Sequence, residues 1–274
     1  MTVHEALKLT EARLKEVTDE ARTEARLMLS FITGEEAGGL LFSDKRLSDT
    51  ELARLEDMVK RRLTHEPLQY IFGEWYFMGL RFVVTPDVLI PRQDTETLCE
   101  AALDAIVRRK YTSLLDICTG SGCIAVALKK LSEEKGLELA CEASDISEKS
   151  IAIAEKNAAI NGAEIAFRAA DLFADAGRYD VITANPPYIS AEDMARLQDE
   201  VRFEPKLALE GGADGLDLYR RIALEVGAHI NKGGCLIMEV GAGEAEAVRA
   251  MFEAQSGCII NDLNGVGRVV KIDF

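Results

Sequence analysis

Across residues 1–72, apolar positions recur every three or four places with charges between them. They fall at Ala6, Leu7, Leu14 and Val17, then at Ala21, Ala25, Leu27, Met28, Leu29 and Ile32, a spacing that predicts helices only. Gly34 and the Gly38-Gly39 pair interrupt the pattern. A third helix is expected to start at Ser48, where Glu51 completes a capping box and Leu47 can staple to Leu52. Leu52, Leu55, Met58, Val59 and Leu63 would then share one side. Between Gly73 and Ile90 the period moves toward two, with Trp75, Phe77, Leu80, Phe82 and Val84 placed around Gly79. That predicts a β-hairpin, ended by Pro86 and Pro91.

From residue 93 strands and helices alternate. Helices are expected at 95–110, 123–131, from Ser147 to the Asn161-Gly162 stop, near 215–229 and at 243–255; strands at 113–117, 139–144, 164–168, 180–183, 234–240, 259–263 and 267–274. Regular βαβ alternation implies a parallel sheet with helices on both faces. The expected organisation is a helical N-terminal domain (1–72), a hairpin linker (73–92) and an α/β domain (93–274).

Composition adds bounds. A chain of 274 residues with 48% hydrophobic and 29% charged positions suits two globular domains. No stretch approaches the ~20 apolar residues of a membrane span, and the start lacks a basic region followed by an apolar one, so a cytoplasmic location and no membrane partner are expected. Six cysteines are scattered without CxxC pairs, and three histidines show no ligand spacing, so neither a disulfide framework nor a metal site is expected. A net charge of -15 argues against stable nucleic-acid binding, which draws on Lys and Arg to neutralise phosphates. A monomer is the expected form.

The densest chemical signal is Asn185-Pro186-Pro187-Tyr188, directly after an apolar strand. A nitrogen conjugated to a carbonyl or aromatic ring is a poor nucleophile because its lone pair is delocalised. The Asn185 side-chain oxygen and a backbone carbonyl held by the prolines can each accept one N–H and aim the lone pair outward, while Tyr188 can hold a flat group by stacking. The prolines fix φ near about -65° and remove donors. A plain Pro-rich turn would look similar in isolation.

Upstream, Asp116-Ile117-Cys118-Thr119-Gly120-Ser121-Gly122 leads from a strand into a helix. Gly120 and Gly122 let backbone approach a ligand, and dinucleotide enzymes use nearly the same loop. An acid ahead of the loop, Asp116, would repel a pyrophosphate but suits S-adenosylmethionine, which carries an ammonium. Asp145, after the second strand, is placed to accept ribose hydroxyls, and Asp171, after the third, to receive the adenine amino group; either residue type also serves as an ordinary helix cap.

Taken together these segments resemble the PrmC/HemK protein-(glutamine-N5) methyltransferases that modify peptide chain release factors. The likeness runs through Gln69-Tyr70-Ile71, Ile90-Pro91-Arg92, the glycine loop, Asn185 to Tyr188, Phe203-Glu204-Pro205 and Glu239-Val240-Gly241. Asn-Pro-Pro-Tyr alone is shared with adenine-N6 methyltransferases, so the combination discriminates. The resemblance implies a seven-stranded Rossmann-like class I methyltransferase sheet and an N-terminal domain that docks the substrate. It also implies transfer from S-adenosylmethionine to the glutamine of the Gly-Gly-Gln motif in class 1 release factors. Asn185, Pro186, Pro187 and Tyr188 are then catalytic, and Asp116, Cys118, Thr119, Gly120, Ser121, Gly122, Asp145, Asp171, Leu172 and Asn185 face the cofactor. Two departures stand out. Cys118 takes the place of the first loop glycine, where the backbone is expected to manage without a positive φ or to relax slightly, and Gln93-Asp94-Thr95-Glu96 replaces the commoner Pro-Glu-Thr-Glu, clear of the amide clamp. Whether Leu172 or Phe173 covers the adenine stays open. The alternative is an adenine-N6 methyltransferase acting on nucleic acid; a non-catalytic release-factor or ribosome-binding protein is a further one.

Overall fold

A computed structural model describes residues 1–274 and divides them into two compact units. The smaller comprises Met1–Gly73 together with Gln198–Phe203. Its helices are α1 (Val3–Leu14), α2 (Ala21–Thr33), α3 (Asp49–Arg62) and α4 (Leu68–Phe72). Full capping boxes start two of them, Thr2 with Glu5 at α1 and Ser48 with Glu51 at α3, each satisfying backbone donors that a helix start leaves open. Gly34, in the left-handed region at φ 73°, ends α2. The apolar faces meet in one core through Leu7, Leu14, Met28, Leu29, Leu55 and Val59, and Leu52 packs on its margin.

Arg62, on the last turn of α3, is only 1% exposed. Its guanidinium takes Glu24 of α2 in a two-pronged pair (2.7 and 2.9 Å) and also Glu200. Glu200 belongs to the short segment that leaves the α/β unit in sequence and counts with the helices. The periodicity of residues 1–72 contains no sign of this excursion.

The larger unit spans Glu74–Leu197 and Glu204–Phe274. It begins with the hairpin β1 (Glu74–Phe77) and β2 (Leu80–Val83), paired antiparallel with Trp75 opposite Phe82. This hairpin is built into the unit and is not a separate linker: Phe77 and Phe82 are buried in its core, and the Asn157 side chain both accepts from the Val83 N–H (2.7 Å) and donates to the Val83 carbonyl (3.0 Å). There follow α5 (Asp94–Arg109), β3 (Ser113–Ile117), α6 (Cys123–Glu134), β4 (Ala140–Asp145), α7 (Glu148–Asn161), β5 (Ala166–Ala169), β6 (Tyr179–Ala184), α8 (Ala191–Met194), α9 (Asp217–Glu225), β7 (Ile230–Glu239), α10 (Ala245–Ala250), β8 (Ser256–Asn261) and β9 (Gly267–Asp273). The main sheet has seven strands in the order β5-β4-β3-β6-β7-β9-β8. β5 to β7 run parallel, and β9 lies antiparallel to both β7 and β8. Strands β3 and β6 are almost entirely buried, as helices on both faces require.

The expected helix at 243–255 is shorter: α10 covers Ala245–Ala250, and the chain runs through a turn before β8 starts at Ser256. Strand β5 begins at Ala166, where Ala166 lies opposite Glu142.

Burial decides which charge in the small unit matters. Arg62→Leu leaves Glu24 without its cation in a largely closed site and is expected to cost about 3 kcal/mol or more. Glu200→Gln, at a side chain 43% exposed, should cost under about 1 kcal/mol. Urea unfolding of the full chain with both variants checks this, and equal losses would contradict the ranking.

Candidate active site

The chain moves outward from β3 to β4 and β5, then crosses to the other side of β3 as β6. At such a switch point the loops after neighbouring strands diverge and leave a crevice at the carboxyl ends. The crevice is present as a cavity of about 330 Å³, a size that suits a small-molecule cofactor. Cys118, Thr119, Gly120, Ser121, Asp145, Asp171, Leu172, Asn185 and Pro187 all line it. Of the expected residues, Asp116, Gly122, Pro186 and Tyr188 are not part of that lining.

The glycine loop is held from three sides. Asp116, at 0% exposure, accepts from the Thr119 hydroxyl (2.5 Å) and from the Thr183 hydroxyl of β6 (2.7 Å). Burial, opposed by those two bonds, pushes its carboxyl up to about 7. The expectation that Asp116 meets the cofactor's ammonium is therefore corrected: the carboxyl is sealed off from solvent, lies outside the cavity lining, and ties loop to strand. The Gly120 N–H donates to Asp145 Oδ2 (2.9 Å), and the Ser121 carbonyl accepts from Asn157 Nδ2 (2.9 Å). Gly122 is required by space, since a Cβ there would lie 3.0 Å from the Ala154 Cβ, at φ 79°.

At Cys118 the backbone does not manage without a positive φ. Its φ is +55°, so a cysteine occupies the left-handed conformation that a glycine would take. Leu172, at φ +49°, does the same across the cavity. Leu172 lines the cavity, whereas Phe173 is turned away and stacks on His229, ring centroids 4.9 Å apart.

Asp145 accepts the Ser147 N–H at Oδ1 (2.9 Å) and the Gly120 N–H at Oδ2, so each oxygen keeps a lone pair for a ligand. Burial raises its carboxyl and the two N–H bonds oppose the rise. Asp171 is paired with Arg221 (3.0 Å), and both line the cavity. Four acids, Asp87, Asp145, Asp171 and Glu210, stand against two arginines, Arg92 and Arg221, in the lining. That surplus favours a cationic ligand over a pyrophosphate. Ile146, more than half exposed as a free side chain, and Leu172 add apolar surface for a flat ring.

Asn185 follows β6 directly. Its Nδ2 donates to the Thr95 hydroxyl (3.3 Å), which leaves Oδ1 as the uncommitted end. The segment at 93–96 was expected to lie clear of the clamp; through Thr95 it touches it. Behind the prolines runs the loop 209–215. The Ile189 N–H donates to the Leu209 carbonyl and the Gly211 N–H to the Ile189 carbonyl, both at 2.9 Å. A Cβ on Gly211 would lie 2.7 Å from the Pro187 carbonyl and 2.8 Å from the Tyr188 Cα, so only glycine lets this loop back the clamp. Glu204 secures the near wall by accepting the Ile90 N–H (3.0 Å) and pairing with Arg92. Burial pushes the Tyr188 phenol up to about 12, so it stays neutral at physiological pH.

Two residues at this site lie in segments compared with the family, but the sequence assigns them no role. Thr95 sits in the first turn of α5, and Glu239 ends β7, 2% exposed. Only their positions at the ends of elements that converge on the crevice marked them out.

Comparison with known proteins agrees with this layout. Residues 5–73 match the PrmC N-terminal domain, and residues 94–202 the methyltransferase small domain. The release factor glutamine methyltransferase of Geobacter sulfurreducens is 43% identical, over 98% of this chain and 95% of that protein. The protein of the same name from Cereibacter sphaeroides is 40% identical over 92% and 91%. Among solved structures, the hMettl16 catalytic domain in complex with the MAT2A 3'UTR hairpin 6 superposes with a TM-score of 0.55 at 15% identity, covering 83% of this chain and 82% of that one. A likeness so remote speaks for the fold alone. At 43% identity along nearly its whole length, the chain belongs to the family of release factor glutamine methyltransferases.

Proposed function

We propose that the protein methylates the side-chain nitrogen of the glutamine in the Gly-Gly-Gln motif of class 1 peptide chain release factors, with S-adenosylmethionine as donor. The observation that carries this reading is the commitment of Asn185 Nδ2 to Thr95, which leaves the carboxamide oxygen to accept an N–H. The full-length relatives that bear the release factor name support the substrate.

S-adenosylmethionine, when bound, supplies a methyl carbon made electrophilic by its sulfonium. The residues that suit it are Asp145 for the ribose hydroxyls, Ile146 and Leu172 for the adenine faces, and the glycine loop for the methionine end. Asn185 Oδ1 and the Pro186 carbonyl each accept one amide N–H of the glutamine, and the nitrogen lone pair is left facing the methyl carbon. As the N–C bond formed and the donor's S–C bond broke to leave a neutral thioether, the nitrogen would gain positive charge and both acceptor bonds would strengthen. Holding the partners in line can supply up to ~7 to 11 kcal/mol of the barrier. No prior base is required, because the N–H proton becomes acidic only during attack and leaves afterwards to water. Tyr188, held neutral, offers a face to the planar amide.

The helical unit suits docking of the release factor body. Leu9, Leu41 and Phe42 are exposed there, Phe42 to 87%, more apolar surface than that unit needs for its own core. The net charge of -15 disfavours the nucleic-acid alternative.

Asn185→Ala is expected to lower the rate of transfer by about 10²–10³-fold with the dissociation constant for S-adenosylmethionine nearly unchanged. Single-turnover assays and calorimetry read the two effects separately, and undiminished transfer would remove the clamp. Asp145→Ala should weaken cofactor binding by about tenfold or more, at one to two hydrogen bonds lost; an unaltered dissociation constant refutes its ribose role. With labelled S-adenosylmethionine, label is expected on a wild-type release factor, at least about 10⁴-fold less on its Gln→Glu form, and none on an oligonucleotide. Equal labelling of both release factors would sink the reading.

A further inference from the structure

Strands β6 and β7 pair in parallel with Ala184 opposite Met238, which brings the next residues, Asn185 and Glu239, side by side at the carboxyl end of the sheet. Glu239 is 2% exposed, and its Oε2 has no hydrogen-bond partner. A sealed carboxyl oxygen without a donor is costly and calls for an explanation. Thr95, itself 2% exposed, accepts from Asn185 Nδ2, and the Thr95 and Asn185 side chains both lie within hydrogen-bonding reach of the Glu239 carboxyl.

Resting on the methyl-transfer reading above, we propose that Glu239 is a positioning residue: its carboxylate, acting with the Thr95 hydroxyl, holds the Asn185 carboxamide with nitrogen inward and oxygen toward the substrate. An asparagine amide is nearly symmetric in shape, so packing alone does not choose between its two orientations. An ionised carboxyl only accepts. It draws the Thr95 O–H toward itself, and the hydroxyl lone pairs then receive the Asn185 N–H. With the amide reversed, its oxygen would face those lone pairs and a negative charge. A protonated Glu239 has an O–H of its own to give and tolerates the reversed amide, which would present donors to the substrate's donors.

The surroundings place this change within reach of neutral pH. Burial pushes the Glu239 carboxyl up to about 7; Thr95 opposes the rise, Asp94 adds to it, and Arg268 and Asn185 oppose it. Arg268 of β9 is shared between Asp94 (3.3 Å) and Asp262 (3.4 Å), so its charge is already partly spent. The remaining titratable neighbours, Tyr188, Tyr219, Cys99 and Cys123, are all raised by burial and stay neutral through this range. Tyr219 donates its O–H to the Glu239 backbone carbonyl (2.8 Å), not to the carboxyl. The sign is direct. As pH falls through about 7, Glu239 takes a proton, the competent amide orientation loses population, and transfer slows in proportion.

The test has two arms. In cofactor-free protein, the side-chain NH₂ resonances of Asn185, assigned by their loss in Asn185→Ser, are followed from pH 5.5 to 9. They are expected to shift with a midpoint near 7 in the wild type and to stay still in Glu239→Gln. In steady-state transfer to a release factor, Glu239→Gln should lower kcat/KM at pH 8.5 by about fivefold or more and erase the acid limb, with the cofactor dissociation constant unchanged. Thr95→Val should show the same loss, and Thr95→Ser should recover most of it. An amide that ignores pH in the wild type, or an acid limb that persists in Glu239→Gln, overturns the proposal; the latter would move the limb to Asp116, the other acid raised to about 7. The spectra need no substrate, so a release factor that is never methylated faults the function and a silent amide faults this inference. Should Glu239→Gln fail to fold, the wild-type spectra and the two Thr95 variants still decide.

Discussion

The site depends on a single buried carboxyl group. Asp116 ends one strand, and with no water available it must take its donors from the protein: one hydroxyl from the glycine loop, one from the neighbouring strand β6. That pairing joins the glycine loop to the strand that delivers Asn185, so both sides of the crevice are registered by one residue. Burial outweighs the two hydrogen bonds that oppose it, and the carboxyl is raised to about 7. Glycine loops are usually discussed for the freedom of their glycines; here the side chains around the loop, Asp116, Asp145 and Asn157, remove that freedom again.

Backbone approach is the complementary constraint. The clamp is two prolines long and needs support from behind, and the loop through Gly211 supplies it at a distance no side chain would permit. Tyr188 is confined in the same way, since a Cβ on Gly241 would come within 3.1 Å of its ring. The stretch Phe203-Glu204-Pro205, which resembled the family far from the obvious motifs, therefore has a mechanical reason to be there: Glu204 fixes the wall that begins at Ile90, as Gly211 backs the loop that carries Asn185 to Tyr188.

Much of this architecture was legible in the order of residues, and the reasons for what was not are local. Ser48 with Glu51, the alternation after residue 93 and the placement of Asn185 after a buried strand all report interactions between near neighbours, which periodicity and capping chemistry register directly. What escaped was contact across the chain. Asp116 looked like a ligand because its type and place suited an ammonium, but the hydroxyl that claims it lies 67 residues away. At Cys118 the sequence left open whether the backbone would manage without a positive φ or relax slightly, and the loop takes φ +55°. Thr95 and Glu239 stand at element ends where no pattern distinguishes a cap or a terminus from a working residue. Leu172 and Phe173 could be separated only once His229 was seen to take the phenyl ring.

The visit of Gln198–Phe203 to the helical unit has a bearing on how such a chain is born. A bundle made of the first 73 residues alone would ordinarily close as soon as it cleared the exit tunnel, well before the rest existed. Here its final piece, and with it one carboxylate for Arg62, emerges only after most of the second unit has been synthesised. Until then Arg62 has its two-pronged pair with Glu24 but not Glu200, so the first unit is completed only after the Asn185–Tyr188 loop, encoded just before residue 198, has been made.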